Sequence, residues 1–207
     1  MLHIHETKYD MPVNYQRFFF VLAFISITPF FFSCKNDPIP VNDQEIITKL
    51  SIHFQEIDLS DSPIGTSLVY SWVDSDGDGG NDPVVDTIIL KPSARYKAAL
   101  EVLNESISPV VDITEEIISE GPSHQFFFIV EGTTQITFQY ADTDINQQPI
   151  GIKTTVETGS ESIGKVKVIL RHLPEKSATG VSTGDITHAG GETDFESVPS
   201  FELKVIP

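Results

Sequence analysis

The chain has very little cysteine: Cys34 is the only one among its 207 residues, so no disulfide can form within it. A disulfide scaffold is therefore excluded, and stability must come from a buried apolar core. Basic residues are also scarce, because 13 Lys and Arg stand against 30 Asp and Glu, for a formal net charge of −17. A surface with this charge repels nucleic acid and attracts cations or basic partners. We therefore expect no nucleic-acid partner.

Signals for catalysis are weak. The closely spaced glycines Gly77, Gly79 and Gly80 stand among carboxylates that would repel a phosphate group. Paired acids such as Glu115 and Glu116 occur without any pattern that indicates a substrate cleft. Ser, His and Asp residues are present, but their order does not indicate a nucleophile and its base. We therefore predict that the protein is not an enzyme.

An apolar run, residues 18–33, follows Arg17 near the N-terminus. A secretory signal peptide needs a basic start, an apolar stretch of about 7–15 residues and a small residue before the cleavage site. The run contains Pro29 and is shorter than the ~20 residues with which a helix crosses a bilayer. The pattern therefore predicts a signal peptide over residues 1–33.

Cys34 follows this run directly, in the sequence Phe31-Phe32-Ser33-Cys34. These residues resemble a lipobox, in which the cysteine is acylated and becomes the first mature residue. A plain secretion signal followed by an unmodified thiol is the alternative. Residues 34–44 are polar, contain proline and lack any helix or strand periodicity, which is typical of an extended tether. We predict a palmitate-bearing lipoprotein that is held at the membrane by its lipid anchor.

Apolar residues alternate with a period of two over much of residues 45–207, which is the pattern of strands with one buried face. Turn-forming Gly, Pro, Asp and Asn residues separate about nine such segments. The pattern predicts a single all-β domain, an antiparallel β-sandwich for which immunoglobulin-like topology is the first choice and a closed barrel the alternative. The predicted strands lie around Leu50–Phe54, Leu68–Trp72, Val84–Leu90, Tyr96–Leu103, Phe126–Val130, Ile136–Tyr140, Ile150–Glu157, Val166–Leu170 and Phe201–Val205.

Two segments depart from this alternation. The sequence beginning at Asp112 has the spacing of a capping box and then apolar residues on one helical face, which predicts a short acidic helix over residues 113–120. Pro174–Asp194 is polar and rich in glycine, and it is predicted as a long loop.

The sharpest binding motif is the loop Asp74–Asp82, DSDGDGGND. Calcium prefers six to eight oxygen ligands, and carboxylates at every second position followed by a glycine allow one loop to wrap the ion. A true EF-hand is excluded, because Val85 stands where a bidentate Glu is required and the flanking segments are strands. The loop is either a calcium site or a bare hairpin turn. Its candidate ligands are Asp74, Asp76, Asp78, Asp82 and Asp86.

Histidines provide a second metal hypothesis. His124 follows the acidic helix that ends near Glu120, His172 ends a predicted strand, and His188 lies in the long loop. Zinc or another transition metal accepts imidazole and carboxylate ligands together. No short-range spacing links these three histidines, so a satisfied histidine at a strand end is the alternative interpretation of each.

Two aromatic residues bear on a third class of function. Trp72 alternates with apolar neighbours and is predicted to lie in the core, whereas Phe127 points away from Phe126 and Phe128. If Phe127 is exposed, it favours a glycan-binding surface. If both faces of its strand are covered, no ligand is needed to explain it.

The lipobox and several internal segments resemble a family of uncharacterised Bacteroidetes-type outer-membrane lipoproteins. The segments are WVDSDGDGGNDP at 72–83, DITEEI at 112–117, HQFFF at 124–128, and the stretches 142–159 and 170–194. Members are sometimes given a periplasmic-binding fold, which needs alternating strand–helix units that this sequence lacks. The resemblance implies a lipid-anchored protein of the outer membrane. We therefore expect an acidic cell-envelope protein that binds a cation or assists an outer-membrane transporter; a surface adhesin or glycan-binding module is the alternative.

Overall fold

The computed structural model describes residues 45–77 and 79–207. The predicted signal peptide, Cys34 and the tether lie outside the described residues, as does Asp78 of the acidic loop. The described residues fall within one unit, Asn42–Pro207. None of their helices combines the length and the apolar composition needed to span a bilayer.

Strands dominate the described residues. They are β1 (Lys49–Ile57), β2 (Leu68–Val73), β3 (Val84–Val85), β4 (Ile88–Leu90), β5 (Arg95–Asn104), β6 (Val111–Asp112), β7 (His124–Gly132), β8 (Ile136–Tyr140), β9 (Lys153–Thr158), β10 (Ser162–His172), β11 (Glu192–Glu196) and β12 (Phe201–Val205). One α-helix, α1 (Ile113–Ser119), occurs among the described residues, with 3-10 turns at Gly121–Ser123, Val181–Thr183 and Ile186–His188.

The strands form two sheets. Sheet A has the order β3-β2-β1-β5-β9-β8, with β6 paired to β5; sheet B has the order β11-β10-β12-β4, with β7 paired to β10. All pairs are antiparallel except β12 with β4. The predicted all-β sandwich is confirmed, while immunoglobulin-like topology stays a prediction.

Apolar side chains from both sheets meet in one core. Leu50, Ile52 and Phe54 of β1 belong to the same cluster as Val166 and Val168 of β10, and all five are fully buried. Their alternation along each strand is the predicted period of two. Burying one such side chain contributes about 1.5–3 kcal/mol, so the facing sheets supply the main stabilising free energy of this cysteine-poor chain.

The aromatic residues weighed for glycan binding are buried. Trp72 is 5% exposed and packs edge-to-face on Phe195 at a centroid distance of 5.0 Å. Phe127 is 0% exposed and packs with Ile169 and Val181 in a second cluster on the other face of β7 and β10. Both faces of β7 are therefore covered, and neither ring forms an exposed platform.

The helix lies where the sequence predicts it, and the Asp112 carboxylate accepts a hydrogen bond from the Thr114 backbone N–H as its cap.

Two other predictions were wrong in detail. β11 begins inside the stretch Pro174–Asp194 that was predicted to be loop, and the single predicted strand Val84–Leu90 is divided between sheets A and B. The division falls at Asp86, whose carboxylate accepts a hydrogen bond from the Ser71 backbone and so ends the pairing of β3.

A buried lysine fastens the long loop to the sandwich. Lys176 Nζ donates hydrogen bonds to the Asp144 carboxylate at 2.9 Å and to the carbonyls of Pro149 and Gly121 at 2.9 and 2.5 Å. The Lys176 and Asp144 side chains are 6% and 1% exposed. Burial lowers the pKa of Lys176, and the charge of Asp144 opposes this fall. Because Gly121 begins the turn before β7, this contact also fixes the approach to His124.

Candidate metal centre

Three side chains from distant parts of the sequence converge at one point. Glu45 precedes β1, His124 is the first residue of β7, and Asp194 lies in β11. One potential ligand atom from each lies within 4.8 Å of the other two. In the part of the chain that the structure describes, no other group of three His, Cys, Asp or Glu residues meets this criterion. These residues form what we call the metal group.

An irregularity in β11 brings Asp194 into the metal group. The register pairs Leu170 with Phe195 and Arg171 with Thr193, so it shifts by one residue at Asp194. Such a bulge bends the strand and changes the direction of the extra side chain. His124 is held from the other edge of β10, where it pairs with His172 and stacks on its ring at a centroid distance of 5.0 Å.

The distances within the metal group fit a coordination sphere better than they fit hydrogen bonds. His124 Nε2 lies 3.4 Å from Glu45 Oε1 and 3.5 Å from Asp194 Oδ2. Charge-assisted N–H···O hydrogen bonds are about 2.7–2.9 Å long. Ligands bound about 2.1 Å from a tetrahedral zinc ion lie about 3.4 Å from one another. The observed spacing therefore suits atoms that share a small cation.

The second nitrogen of His124 fixes the state of its ring. Nδ1 lies 3.3 Å from the Glu120 carbonyl, which can only accept, so Nδ1–H is the donor. In the neutral ring this leaves the Nε2 lone pair facing the two carboxylates. Three acceptors that face one another need a proton or a cation between them. Glu45 Oε2 is moreover buried without a hydrogen-bond partner among the described residues.

Proton affinities in the metal group are shifted accordingly. Burial raises the pKa of Glu45 to about 7; the charge of His124 opposes the rise, and Asp194, Glu116 and Glu120 add to it. Burial alone would lower the pKa of His124, but the adjacent Asp194 and the negative charge of Glu45 outweigh it, so the pKa is raised. Both shifts favour the protonated forms of Glu45 and His124 when no other cation is present.

Glu45 and Asp194 also line a cavity of about 710 Å³. Its lining includes Trp72 and the tip of the acidic hairpin, among them Asp74 and Asp82. The predicted calcium loop and the metal group thus border the same cavity.

The acidic loop has the hydrogen bonds of a hairpin turn. Asp74 Oδ1 accepts from the Gly77 backbone at 3.0 Å, and Asp76 Oδ2 accepts from both the backbone and the side-chain amide of Asn81. Gly77 adopts a φ of 73°, which glycine tolerates without strain. Asp82 is exposed on the cavity lining, and Asp86 is bonded to Ser71. These described aspartates do not converge as the metal group does, and calcium at this loop stays a prediction.

Of the histidine candidates, only His124 belongs to the metal group. His172 stacks on it without contributing a ligand atom, and His188 is exposed at the end of a 3-10 turn. The Glu120 side chain does not belong to the metal group; Glu120 is exposed, and its backbone carbonyl is the hydrogen-bond acceptor for His124 Nδ1. Glu45 and Asp194 were not predicted as ligands, because the first precedes the strand pattern and the second lies at the end of a segment interpreted as loop.

The sequence Gly180–Gly184, GVSTG, has the Gly-x-Ser-x-Gly spacing of a hydrolase nucleophile. Such a motif acts on a sharp turn between a strand and a helix. Here its centre forms the 3-10 turn Val181–Thr183, with Ser182 exposed. The motif therefore lacks the backbone context that would activate the serine.

The buried metal group can hold a metal ion, and its geometry alone does not identify which one. Its imidazole and one carboxylate come from β7 and β11 of sheet B, and its second carboxylate comes from the segment before β1. Comparisons of this chain with protein-family models, with curated proteins and with solved structures give no match.

Proposed function

We propose that the protein is a cell-envelope metal-binding protein whose metal group, Glu45, His124 and Asp194, holds a divalent transition metal of the zinc class. One observation carries the proposal: an imidazole nitrogen and two carboxylate oxygens lie almost fully buried at separations of 3.4 and 3.5 Å. Burying two carboxylates is costly unless a cation compensates them.

The ligand set favours zinc over calcium or an organic ammonium ion. Calcium takes six to eight oxygens at 2.3–2.6 Å, whereas zinc accepts mixed nitrogen and oxygen ligands and is often held by three side chains and a water. An ammonium group hydrogen-bonded to three acceptors at about 2.8 Å would hold them about 4.6 Å apart. The two measured separations are much shorter, which favours a small ion.

An ion in this position would connect the two sheets. Glu45 leads into β1 of sheet A, whereas His124 and Asp194 belong to β7 and β11 of sheet B. Binding to the folded state alone stabilises it, by about 2.7 kcal/mol at a free ion concentration one hundred times Kd. In a chain without disulfides, the bound ion would act as the cross-link at this end of the sandwich.

Two sequence features support a location of this activity in the cell envelope. The apolar run before Cys34 supports export and acylation, and the net charge of −17 supports attraction of cations to the surface. A lipid-anchored protein with a buried metal group suits a role as accessory to an outer-membrane transporter.

Zinc titration of the purified protein, with a chromophoric chelator as competitor, tests the proposal. We expect one zinc ion per chain. Losing a residue that only supports a metal ligand typically weakens binding about 10–100-fold, so Glu45→Gln or Asp194→Asn should weaken it at least as much, because each removes an anionic ligand. Glu101→Gln is the matched control, since Glu101 faces the partly exposed His53 at 3.6 Å and the two belong to no group of three potential ligands among the described residues. Equal zinc affinity in the wild type and Glu45→Gln would refute the assignment. Binding of calcium in place of zinc would favour the acidic loop instead.

A further inference from the structure

The metal group offers one ligand fewer than a closed zinc site has. Structural zinc sites have four protein ligands, whereas sites that bind a water molecule or a substrate at the ion have three and keep the fourth position open. Glu45, His124 and Asp194 supply one ligand atom each, and no fourth His, Cys, Asp or Glu among the described residues joins them. Within the part of the chain that the structure describes, the metal group has the ligand count of an open site.

The protein covers the metal group on its imidazole side. His124 is 2% exposed, its Nδ1–H donates to the Glu120 carbonyl, and its ring stacks on that of His172. Glu45 and Asp194 both line the cavity of about 710 Å³, whereas His124 is not among its described lining residues. The carboxylate side of the metal group therefore faces the cavity, and so does the open position of a bound ion.

The cavity has the size and the apolar walls of a site for an organic molecule. Its volume of about 710 Å³ lies within the range of about 300–1,000 Å³ that is typical of small-molecule sites. Trp72 and Phe195 form an edge-to-face pair in the lining, beside Val198 and Pro199. A planar ring can pack on such aromatic and aliphatic groups. A bare ion with a single water molecule would leave most of this volume unused.

Charge decides which ligand atom suits the open position. A divalent ion balances the charges of Glu45 and Asp194, and the described lining contains no Lys, Arg or His that could compensate an anionic ligand. Burying such an anion beside a neutral centre is costly. A neutral nitrogen avoids this cost, and zinc accepts the nitrogen of an imidazole ring readily. The surroundings therefore favour a neutral aromatic nitrogen over a carboxylate or another anion.

We infer that the bound ion takes its fourth ligand from the cavity, and that this ligand is a small organic molecule with a neutral aromatic nitrogen, of the imidazole class. The inference rests on the proposed function, because without the ion this nitrogen has no partner to bind. The metal group then holds a metal ion together with an organic ligand, in addition to connecting the two sheets.

Cobalt(II), whose visible absorption bands change with its ligands, is the probe for this inference. The full-length chain is loaded with one equivalent of cobalt and titrated with imidazole, pyrrole and azide. We expect imidazole to shift the bands while cobalt stays on the chain. Pyrrole, a ring of the same size whose nitrogen has no free lone pair, should leave them unchanged, and azide should bind at least about tenfold more weakly than imidazole. 4-Phenylimidazole should bind about tenfold more tightly than imidazole, because the cavity buries the added ring.

A pair of matched variants tests whether the ligand lies in the cavity. Val198→Ser should weaken 4-phenylimidazole binding about threefold and leave imidazole binding unchanged, because it removes apolar lining. Val198 is 57% exposed, so this change leaves the core intact. Val110→Ser makes the same replacement at a residue that is 53% exposed and is not among the described lining residues, and it should change neither affinity.

The outcomes separate this inference from the proposed function. A chain that binds neither cobalt nor zinc refutes the proposed function before any nitrogen ligand is added. Stoichiometric cobalt whose bands do not respond to imidazole would show a closed site, which overturns the inference and leaves the proposed function intact. The inference is also overturned if imidazole removes the cobalt, if azide binds as well as imidazole, or if Val110→Ser weakens 4-phenylimidazole binding as much as Val198→Ser does.

Discussion

Replacing Lys176 with methionine is expected to lower the free energy of unfolding by about 3–5 kcal/mol, because removing one partner of a buried ion pair leaves the other charge uncompensated. The charge left behind is that of Asp144, whose side chain is 1% exposed. The carbonyls of Gly121 and Pro149 also lose a donor. Urea unfolding followed by circular dichroism measures the effect.

Two variants separate this cause from a general effect of mutation. Lys165→Met makes the same change in an ion pair with Glu202 in which both side chains are about half exposed, and such pairs contribute about 0–1 kcal/mol. Adding Asp144→Asn to Lys176→Met should recover part of the loss, since the amide carries no charge and its oxygen can still accept from the backbone of Asn146 and Gln148. A loss in Lys176→Met no larger than that in Lys165→Met would contradict the prediction.

Lys176 also links stability to the proposed function. Its contact with the Gly121 carbonyl fixes the start of the 3-10 turn Gly121–Ser123, and the next residue is His124. Leu173, which directly precedes the long loop, also donates its backbone N–H to the Ser123 carbonyl. The long loop therefore holds the segment that positions the imidazole, and loosening it should weaken zinc binding as well.

Local sequence pattern predicts the parts of this fold that depend on neighbouring residues. The alternation in β1 and β10 identifies the buried face, and Asp112 marks the beginning of α1, because strand faces and helix caps are set within a few residues. The burial of Phe127 could not be predicted from local sequence pattern. Its burial depends on Val181 and Ala189, which come from a loop more than fifty residues away.

Local sequence pattern also could not predict the metal group, because its three residues are distant from one another in sequence. Glu45 lies before β1 of sheet A and His124 begins β7 of sheet B, so they meet only in the folded sandwich, and Asp194 joins them where the register of β11 shifts. β11, ETDFE, has one large apolar residue, so its alternation gives no strand signal. In contrast, the acidic loop has a clear sequence pattern, and the structure shows turn hydrogen bonds within it. The hydrogen bonds of the loop join residues that are close in sequence, whereas the convergent ligands of the metal group are distant in sequence.

The thermal stability of the metal-free protein is expected to fall as pH rises from about 5 to about 8, and zinc is expected to restore it. The folded-state pKa of Glu45, about 7, lies above its ordinary value of 4.5, so the folded state binds the extra proton between these values. Stability from that proton is lost as pH rises. The raised pKa of His124 acts in the same direction, because its stabilising charge is present below about 6.5 and is lost as pH rises through the folded value.

Zinc replaces these protons, so its affinity should increase over the same interval, and the rise in Tm on adding zinc should be larger near pH 8 than near pH 6. Differential scanning fluorimetry of metal-free and zinc-loaded protein measures both trends. Glu45→Gln should flatten the metal-free profile, since glutamine does not titrate, while the matched variant Glu101→Gln should keep the wild-type slope. A metal-free Tm that rises steadily over this interval would show that the charges of Glu45 and His124 are compensated in some other way, and a zinc-induced shift independent of pH would place the ion elsewhere.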